Sequence, residues 1–431
     1  MENLYNQAFE EIQKYECRSM HGQLPVFWKK ADGCFVWDIN NKKFLDFTSS
    51  IFVANIGHSN PSVLEAINEV VSDKLLHTYN YLNPYRLKYL KKLIEFAGYP
   101  FEKAFLASSG TEATETAFKL MRMYGFKISK KIKPGIISFN GSWHGRTLGS
   151  FMMSGNNPNN WWIGYKDPNI FSFDFPYPWK VSEENGGDYF KAQIKQLESK
   201  GVSPKKDICG FMIEAFQGWG AIFYPKTYIQ ELVNFAKKNQ IQVCFDEMQS
   251  GFLRTGKKFG YEHYGIKPDL ICIGKGMGSG LPISGILGKT EMLNLPLPGE
   301  MSSTNSANPL VCAAGYATIE YIEQENLLNH VSKMEKILFE GLKKISNKKP
   351  RNIFINGKGL VAAVIFMNDD KSPNINLTNN VVEECLRRNL IVVKTGRESI
   401  KLGPPLIINE KLINEGLEIL EESIEVSLKK I

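Results

Sequence analysis

Five short apolar runs, at 104–107, 136–139, 209–213, 241–245 and 270–273, punctuate the middle of this chain. Helical patterns lie between several of them. One runs from Glu112 to Tyr124, with Ala113, Ala117, Leu120, Met121 and Tyr124 at helical spacing, and another runs from Lys226 to Lys238. A strand that is apolar on every residue has to be covered on both faces, and strands that alternate with helices run mostly parallel. The pattern therefore predicts an α/β fold, a mostly parallel central sheet covered by helices.

The pattern changes after Gly315. A long helical stretch at 317–342, strands near 360–366 and 390–393, and a last helix from Asn409 predict a smaller α+β domain. Near the start, Gly33-Cys34-Phe35-Val36-Trp37-Asp38 and Lys43-Phe44-Leu45-Asp46-Phe47 read as two short strands joined by a turn, packing on that smaller domain. A length of 431 residues suits two or three units. The expected division is an N-terminal segment at 1–57 packing with the small domain, a large domain at 58–314 and a small C-terminal domain at 315–431.

Composition narrows the function classes. Hydrophobic residues at 43% and charged residues at 23% exclude a disordered chain. The charge excess is 52 − 45 = +7 and is scattered; its densest stretch, 343–351, reads as a solvated face, so no nucleic-acid partner is expected. No apolar run reaches the length of a membrane span, and no membrane partner is expected. The start, Met1-Glu2-Asn3-Leu4-Tyr5, lacks a basic region followed by an apolar one, so secretion is not expected. The seven cysteines are odd in number, widely spaced and without a C-x-x-C pair, which argues against a disulfide framework or zinc knuckle. Cys209, Cys244 and Cys272 sit in apolar runs and read as buried thiols. The six histidines form no ligand cluster, so no metal site is expected. The compartment these features suit is the reducing cytoplasm.

Each apolar run is followed closely by polar groups. These are Ser108-Ser109-Gly110-Thr111-Glu112, Trp143-His144-Gly145-Arg146-Thr147, Glu214, Asp246-Glu247 and Gly274-Lys275-Gly276. In open α/β sheets, functional groups gather beyond the carboxyl ends of strands, so five such endings on one sheet edge argue for an active site. Ser109 and Glu112 have capping-box spacing, and Gly110 allows close backbone approach. A helix start of this kind also binds phosphate, although taken alone it reads equally as a plain cap. Asp246 closes a β-branched and aromatic strand, where a carboxylate is desolvated unless a cation meets it; a structural salt bridge would do so as well. Lys275 lies between glycines that give close access to a ligand, and partial burial would lower its pKa toward nucleophilic use. A solvated loop lysine is the other reading of that motif. The loop fits neither the P-loop nor the dinucleotide pattern, because Gly276 follows the lysine and Leu281 stands where a third glycine belongs. A lysine ending one buried strand and an aspartate ending its neighbour suit a Schiff-base cofactor.

The ordered string of motifs resembles the class III (ω-) aminotransferases, fold type I pyridoxal-phosphate enzymes, over nearly the whole chain. It comprises Asp46-Phe47, Gly57-His58-x-x-Pro61, Ser109-Gly110-Thr111-Glu112-Ala113, His144-Gly145-Arg146-Thr147, Glu214-x-x-Gln217-Gly218 and Asp246-Glu247-x-Gln249-x-Gly251-Phe252-x-Arg254-Thr255-Gly256. Pro268-Asp269, Gly274-Lys275-Gly276, Thr304, Asn308-Pro309 and Pro404-Pro405-Leu406 complete it. The resemblance implies pyridoxal 5'-phosphate as cofactor, bound by the large domain. It implies amino-group transfer between a primary amine or amino acid and a carbonyl or keto-acid acceptor, in ping-pong half-reactions through a Lys275 Schiff base. It further implies that Asp246 pairs with the pyridine nitrogen, Trp143 stacks on the ring, Gln249 meets the phenolic oxygen and Glu214 joins the nearby network. Ser109, Gly110 and Thr111 would hold the phosphate. Thr304 would reach the phosphate of the other subunit of a homodimer, and Arg146 would take a substrate's distal carboxylate.

Three departures from the family pattern bear on the substrate. Trp219 stands where glutamate-using members carry a second glutamate. Lys401 stands where its partner arginine precedes the Pro-Pro-Leu stretch, and a lysine offers one point charge instead of a planar fork. Should Lys401 turn to solvent, Arg397 or Arg146 would take the carboxylate instead. The loop Thr304-Asn305-Ser306-Ala307 keeps the threonine but not the usual glycines. Ile51 is apolar where the decarboxylating relative has glutamine. The alternatives on the same fold are a racemase, epimerase or aminomutase, or a non-catalytic member of the family.

Overall fold

The structure is a computed structural model and describes residues 2–22, 24–129, 133–155, 160–348 and 352–430. A seven-stranded sheet organises the large part of the chain. Its strands are β1 (Lys103–Ala107), β2 (Gly135–Phe139), β3 (Ile170–Phe173), β4 (Ile208–Glu214), β5 (Gln242–Asp246), β6 (Leu270–Ile273) and β7 (Ser284–Gly288), in the order β1-β7-β6-β5-β4-β2-β3. β7 is antiparallel to both neighbours, and the other pairings are parallel.

Alternation along the strands supplies two cores. Cys244 and Cys272 face helix α1 (Gly110–Ser129) together with Ala113, Ala117, Leu120 and Met121. Val243, Phe245, Ile271 and Ile273 face the other side, toward Ile229 and Leu232 of helix α2 (Lys226–Lys238). Both faces are covered, as the continuous apolar runs require. All seven cysteines are free, and Cys209, Cys244 and Cys272 are buried. Among the described residues no helix is long and apolar enough to cross a membrane, and no group of His, Cys, Asp or Glu is placed to hold a metal ion.

The expected helical stretch at 317–342 is two helices, α3 (Pro309–Gln324) and α4 (Leu327–Lys348). The break falls at Asn326, whose φ of 48° is left-handed, a conformation asparagine tolerates better than most residues. In the basic stretch at 343–351, Lys348 pairs with Glu421 and Glu425 of the last helix, α5 (Glu410–Leu428). Lys349, Pro350 and Arg351 lie outside the described residues, as does Met1 of the opening segment.

Near the start, Phe35–Asp38 and Lys43–Asp46 form the expected antiparallel pair. A strand that the sequence reading lacks, Trp28–Asp32, adds an exposed, lysine-bearing edge. On the other side Lys43–Asp46 pairs in parallel with Leu390–Ile391. A further four-stranded sheet joins Ile353–Lys358, Val361–Phe366, Ser399–Leu402 and Val393–Lys394.

One guanidinium ties these parts together. Arg254 is fully buried in the loop after β5. It donates to Leu360 O at 2.8 Å, Pro404 O at 2.6 Å, Asn55 Oδ1 at 2.6 Å and Ser49 Oγ at 3.3 Å. Burial without a carboxylate partner pushes its pKa down to about 9, partly opposed by Asp46. The segment it holds is strained: Ser49, Ser50, Ile51 and Phe52 have φ of 48°, 51°, 58° and 69°. Each left-handed non-glycine residue costs about 1–2 kcal/mol, so this turn exists only because its surroundings impose it. Ser49 Oγ donates to Gly403 O at 2.7 Å, and the Phe52 ring packs where a Cβ on Gly403 would come within 1.9 Å of it. Arg254→Met leaves four buried acceptors without their donor, at about 1–3 kcal/mol each, offset in part by removing a desolvated charge. We expect a net loss of about 2–5 kcal/mol, read as a lower urea midpoint; an unchanged midpoint would show that the turn holds itself.

Candidate active site

The parallel strands end on one sheet edge, and their last residues meet around two adjoining cavities. The inner one, about 420 Å³, is lined by Ser109, Gly110 and Thr111 after β1, Trp143 to Arg146 after β2, Glu214 at the end of β4, Asp246, Met248 and Gln249 at and after the end of β5, and Lys275 after β6. The outer one, about 920 Å³, shares Trp143, Arg146, Gln249 and Lys275 and adds Ile51, Trp219, Arg397 and Lys401.

Asp246 is buried, with Oδ1 accepting from Met248 N at 3.0 Å and Oδ2 lying 2.9 Å from His144 Nδ1. The side-chain partner of this carboxylate is therefore a histidine. His144 is fixed from both directions, its N–H donating to Ser154 Oγ and its carbonyl accepting from Thr114 Oγ1, while its buried Nε2 has no partner among the described residues. Glu214 stands beside Asp246 in the β4–β5 register. Burial raises its pKa to about 7; His144 and Lys401 pull it down and the Asp246 charge pushes it up. Its Oε2 is also buried without a partner among the described residues.

Lys275 has a left-handed φ of 45°. Burial depresses its pKa, opposed by Asp246 and Glu214, which leaves the amine closer to its nucleophilic form than an exposed lysine. The flanking glycines serve the protein's own packing more than ligand access. A Cβ on Gly274 would lie 2.6 Å from Met248 Sδ, and one on Gly276 would lie 2.2 Å from Asn55 Nδ2.

At the start of α1 only half of the capping box forms. Glu112 Oε2 accepts from Ser108 N at 2.8 Å and from Ser109 N at 2.7 Å, while the reciprocal bond from the Ser109 hydroxyl is not made. The first turn of α1 lines the inner cavity, so N–H groups that no helical carbonyl can take lie at its wall, where an anion is favoured. Gly145, at φ 140°, lets its loop close on Thr111, because a Cβ there would lie 2.3 Å from Thr111 Oγ1. Trp143 is half-exposed, with the Arg146 guanidinium carbon 4.7 Å from its ring centre. This donor set suits a planar anionic group with a protonatable ring nitrogen.

Lys401 does not turn to solvent. It is buried in Ser399–Leu402 and its Nζ donates to Gln249 Oε1 at 2.8 Å. An ammonium at Nζ can only donate, which sets Oε1 of the amide toward it and leaves Gln249 Nε2 as a donor for a ligand. Burial and the Lys275 charge push the Lys401 pKa down to about 7, with Glu214 opposing. From about pH 7 to about pH 10 the unfolded chain holds a proton here that the folded chain has given up, so wild-type stability rises with pH across that window. Lys401→Met removes the slope. Relative to wild type it should lose about 1–3 kcal/mol of stability between pH 7 and pH 9. Urea titrations at both pH values measure this, and a pH-independent difference would refute it.

Trp219 donates Nε1 to Gln217 Oε1 at 3.0 Å, and its carbonyl accepts from Ser399 Oγ at 2.8 Å. Ile51 projects from the left-handed turn at the outer cavity. Thr304 is exposed and lines neither of these two cavities; its carbonyl lies 2.8 Å from His77 Nε2. The residues without an assigned role in the sequence reading are His144 and Arg254. Both lie inside quoted motifs, and the only signal was position: His144 follows β2, and Arg254 closes the loop after Asp246.

A profile of the family described as aminotransferase class-III matches residues 17–424. A probable 4-aminobutyrate aminotransferase of Bacillus subtilis is 31% identical over 407 residues, covering 92% of each chain. An acetylornithine aminotransferase of Caldanaerobacter subterraneus is 31% identical over 406 residues, covering 93% of this chain and 95% of that one. Among solved structures, an omega transaminase from Pseudomonas jessenii in complex with PMP superposes with TM-score 0.89 at 25% identity, over 97% of this chain and 96% of that one. A transaminase from the marine bacterium Virgibacillus superposes with TM-score 0.88 at 24% identity, over 98% and 99%.

Proposed function

The chain belongs to the class-III aminotransferases, which depend on pyridoxal phosphate and transfer amino groups by Schiff-base chemistry, and from that premise we propose that Lys275 and Asp246 carry the reaction in this member. The observation that supports this most is their common cavity: a lysine with a depressed pKa, a buried carboxylate and the first turn of α1 line one space. The site fits the cofactor by its own chemistry. The α1 turn offers N–H groups to a phosphate, Asp246 offers a buried carboxylate to a protonated ring nitrogen, and Trp143 offers an aromatic face.

Pyridoxal phosphate, when bound, supplies a carbonyl for Schiff-base exchange and an electron sink for the substrate carbon. Lys275 Nζ would hold the cofactor through that carbonyl and would move the substrate's proton. Asp246 would hold a proton on the ring nitrogen, and His144 Nδ1, 2.9 Å from Oδ2, keeps the carboxylate oriented. Gln249, whose Oε1 accepts from Lys401, would offer Nε2 to the phenolic oxygen. Ser109, Gly110 and Thr111 would bind the phosphate, and Glu214 would support the network beside Asp246. Ile51, Trp219, Arg146 and Lys401 border the space left for the substrate.

The substrates in this reading are a small primary amine or amino acid and a carbonyl acceptor. The enzyme acts as a homodimer in the cytoplasm, with Thr304 reaching the partner's phosphate; the exposure of Thr304 outside those two cavities supports the first point and the free thiols support the second. The same reading divides the chain at 1–57, 58–314 and 315–431, supported by the pairing of Lys43–Asp46 with Leu390–Ile391.

Borohydride reduction of the holoenzyme followed by peptide mass mapping tests the assignment, with the cofactor expected on Lys275. A panel of amines, followed by loss of the cofactor's absorption band, then finds the donor. Label on another lysine would overturn the reading.

A further inference from the structure

A further cavity, of about 900 Å³, lies between the loop after β3, helix α4 and the strand Ile353–Lys358. Its walls follow from the local sequence. Phe339, Lys343 and Ser346 are four and three residues apart, so α4 turns all three to one side. Ile353–Lys358 is the edge strand of its sheet, and Ser346 Oγ fastens α4 to it by donating to Ile353 O at 2.7 Å. Phe354, Ile355 and Met367 line the strand side. The loop contributes Trp179, whose ring stacks on Tyr177 with centres 4.6 Å and planes 9° apart.

This space is not part of the active site. It shares no lining residue with the inner or the outer cavity. Tyr177 adjoins both Trp179 and Trp219, and its hydroxyl donates to Gln217 Oε1, the atom that also accepts from Trp219 Nε1.

The lining describes its occupant. Trp179 is 54% exposed although one face is covered by Tyr177, so the other face is open, and Phe354 is 42% exposed. The charged lining residues, Lys343 and Lys371, are both cations. Among the described residues neither forms an ion pair, whereas Lys348, further along α4, is paired with Glu421 and Glu425. The carboxylates nearest Lys371 in the chain are engaged: Asp369 Oδ1 accepts from Asn352 Nδ2 and Asp370 Oδ1 from Ser372 N, each at 2.9 Å. An apolar space of this size with a few polar groups is what a small-molecule site consists of. A monoanion suits two point charges in such a space, where a dianion would be stripped of more water than they replace.

We propose that this cavity binds a small aromatic carboxylate, its ring on the open face of Trp179 and its charge met by Lys343 and Lys371. The site goes beyond the aminotransferase reading and does not depend on it.

Calorimetric titration of the holoenzyme with 2-naphthylacetate tests the site, and 2-naphthylacetamide, of the same shape without the charge, is the control. Wild type should bind the acid about fivefold or more tighter than the amide. Lys343→Gln combined with Lys371→Gln should erase that preference and leave the amide's affinity unchanged. Trp179→Ala should weaken both ligands about fivefold or more. These side chains stand at the surface, outside the catalytic cavities, so transamination should persist in every variant. Should Trp179→Ala disturb Tyr177, the acid-to-amide ratio in the lysine double variant decides alone. Equal affinity for acid and amide in wild type, or no binding of either, overturns the site. Acid binding that survives in the lysine double variant but is lost in Arg146→Gln or Lys401→Gln overturns it too, by placing the acid in the outer cavity. A larger oligomer that Trp179→Ala dissociates, with no naphthylacetate bound, would give this face to a second copy of the chain and equally overturn the proposal.

Discussion

Lys275→Ala is expected to fold, to bind pyridoxal phosphate and to lose about three to five orders of magnitude in kcat/KM, ~4–7 kcal/mol at ~1.4 kcal/mol per tenfold. Two functions leave with the side chain, the covalent one and the proton-moving one, and no neighbouring amine takes their place. Lys401 is the nearest alternative by charge, but its Nζ is held by Gln249. The fold should tolerate the change, because the lysine's ammonium is penalised by burial and its removal relieves that penalty. The Lys401 pKa should rise, since the Lys275 charge is one of the two causes that depress it. Steady-state rates, with and without a small amine added to replace the missing group, measure the effect. Near-normal turnover in the absence of the added amine would end the assignment of Lys275.

Asp246→Asn should keep the cofactor and disable it, lowering the rate of proton removal from the substrate by about two to four orders of magnitude. The amide can still accept from Met248 N or from His144 Nδ1, so the local fold survives. What it cannot do is balance a positive charge on a ring nitrogen. The loss of the Asp246 charge also removes one of the causes that raise the Glu214 pKa, so Glu214 should titrate lower in the variant. Hydrogen–deuterium exchange at the substrate carbon, followed by mass spectrometry, isolates the step. Wild-type exchange rates would contradict the role.

Both residues were legible in the sequence because each stands at the end of an apolar run, where an α/β sheet collects its chemistry. Lys275 and Asp246 needed only their own neighbours to be noticed. The contact between Asp246 and His144 spans 102 residues, and no local pattern carries it. Arg254 is the same case four times over, with acceptors at Ser49, Asn55, Leu360 and Pro404. β7 escaped for a different reason. Its five residues include Gly285 and Gly288 and follow a glycine-rich loop, so the segment reads as part of that loop until β1 and β6 are in place on either side. The turn at Ser49–Phe52 runs against local preference altogether, having no glycine in four left-handed residues.

That turn has a consequence for how the protein is made. Lys43–Asp46 leads into it and waits for Leu390–Ile391 as a parallel neighbour, a separation of 390 − 45 = 345 residues between the paired Leu45 and Leu390. The carbonyls of Leu360, Gly403 and Pro404 that steady it come equally late. At about 5–20 residues per second, a ribosome needs ~20–70 s to deliver them. Throughout that interval the large sheet can assemble, while the outer wall of the cavity has a front edge and no back. Nascent chains should therefore acquire the first turn of α1, at the inner cavity, well before Ile51 settles at the outer one, and the outer cavity is the last part of the site to be completed.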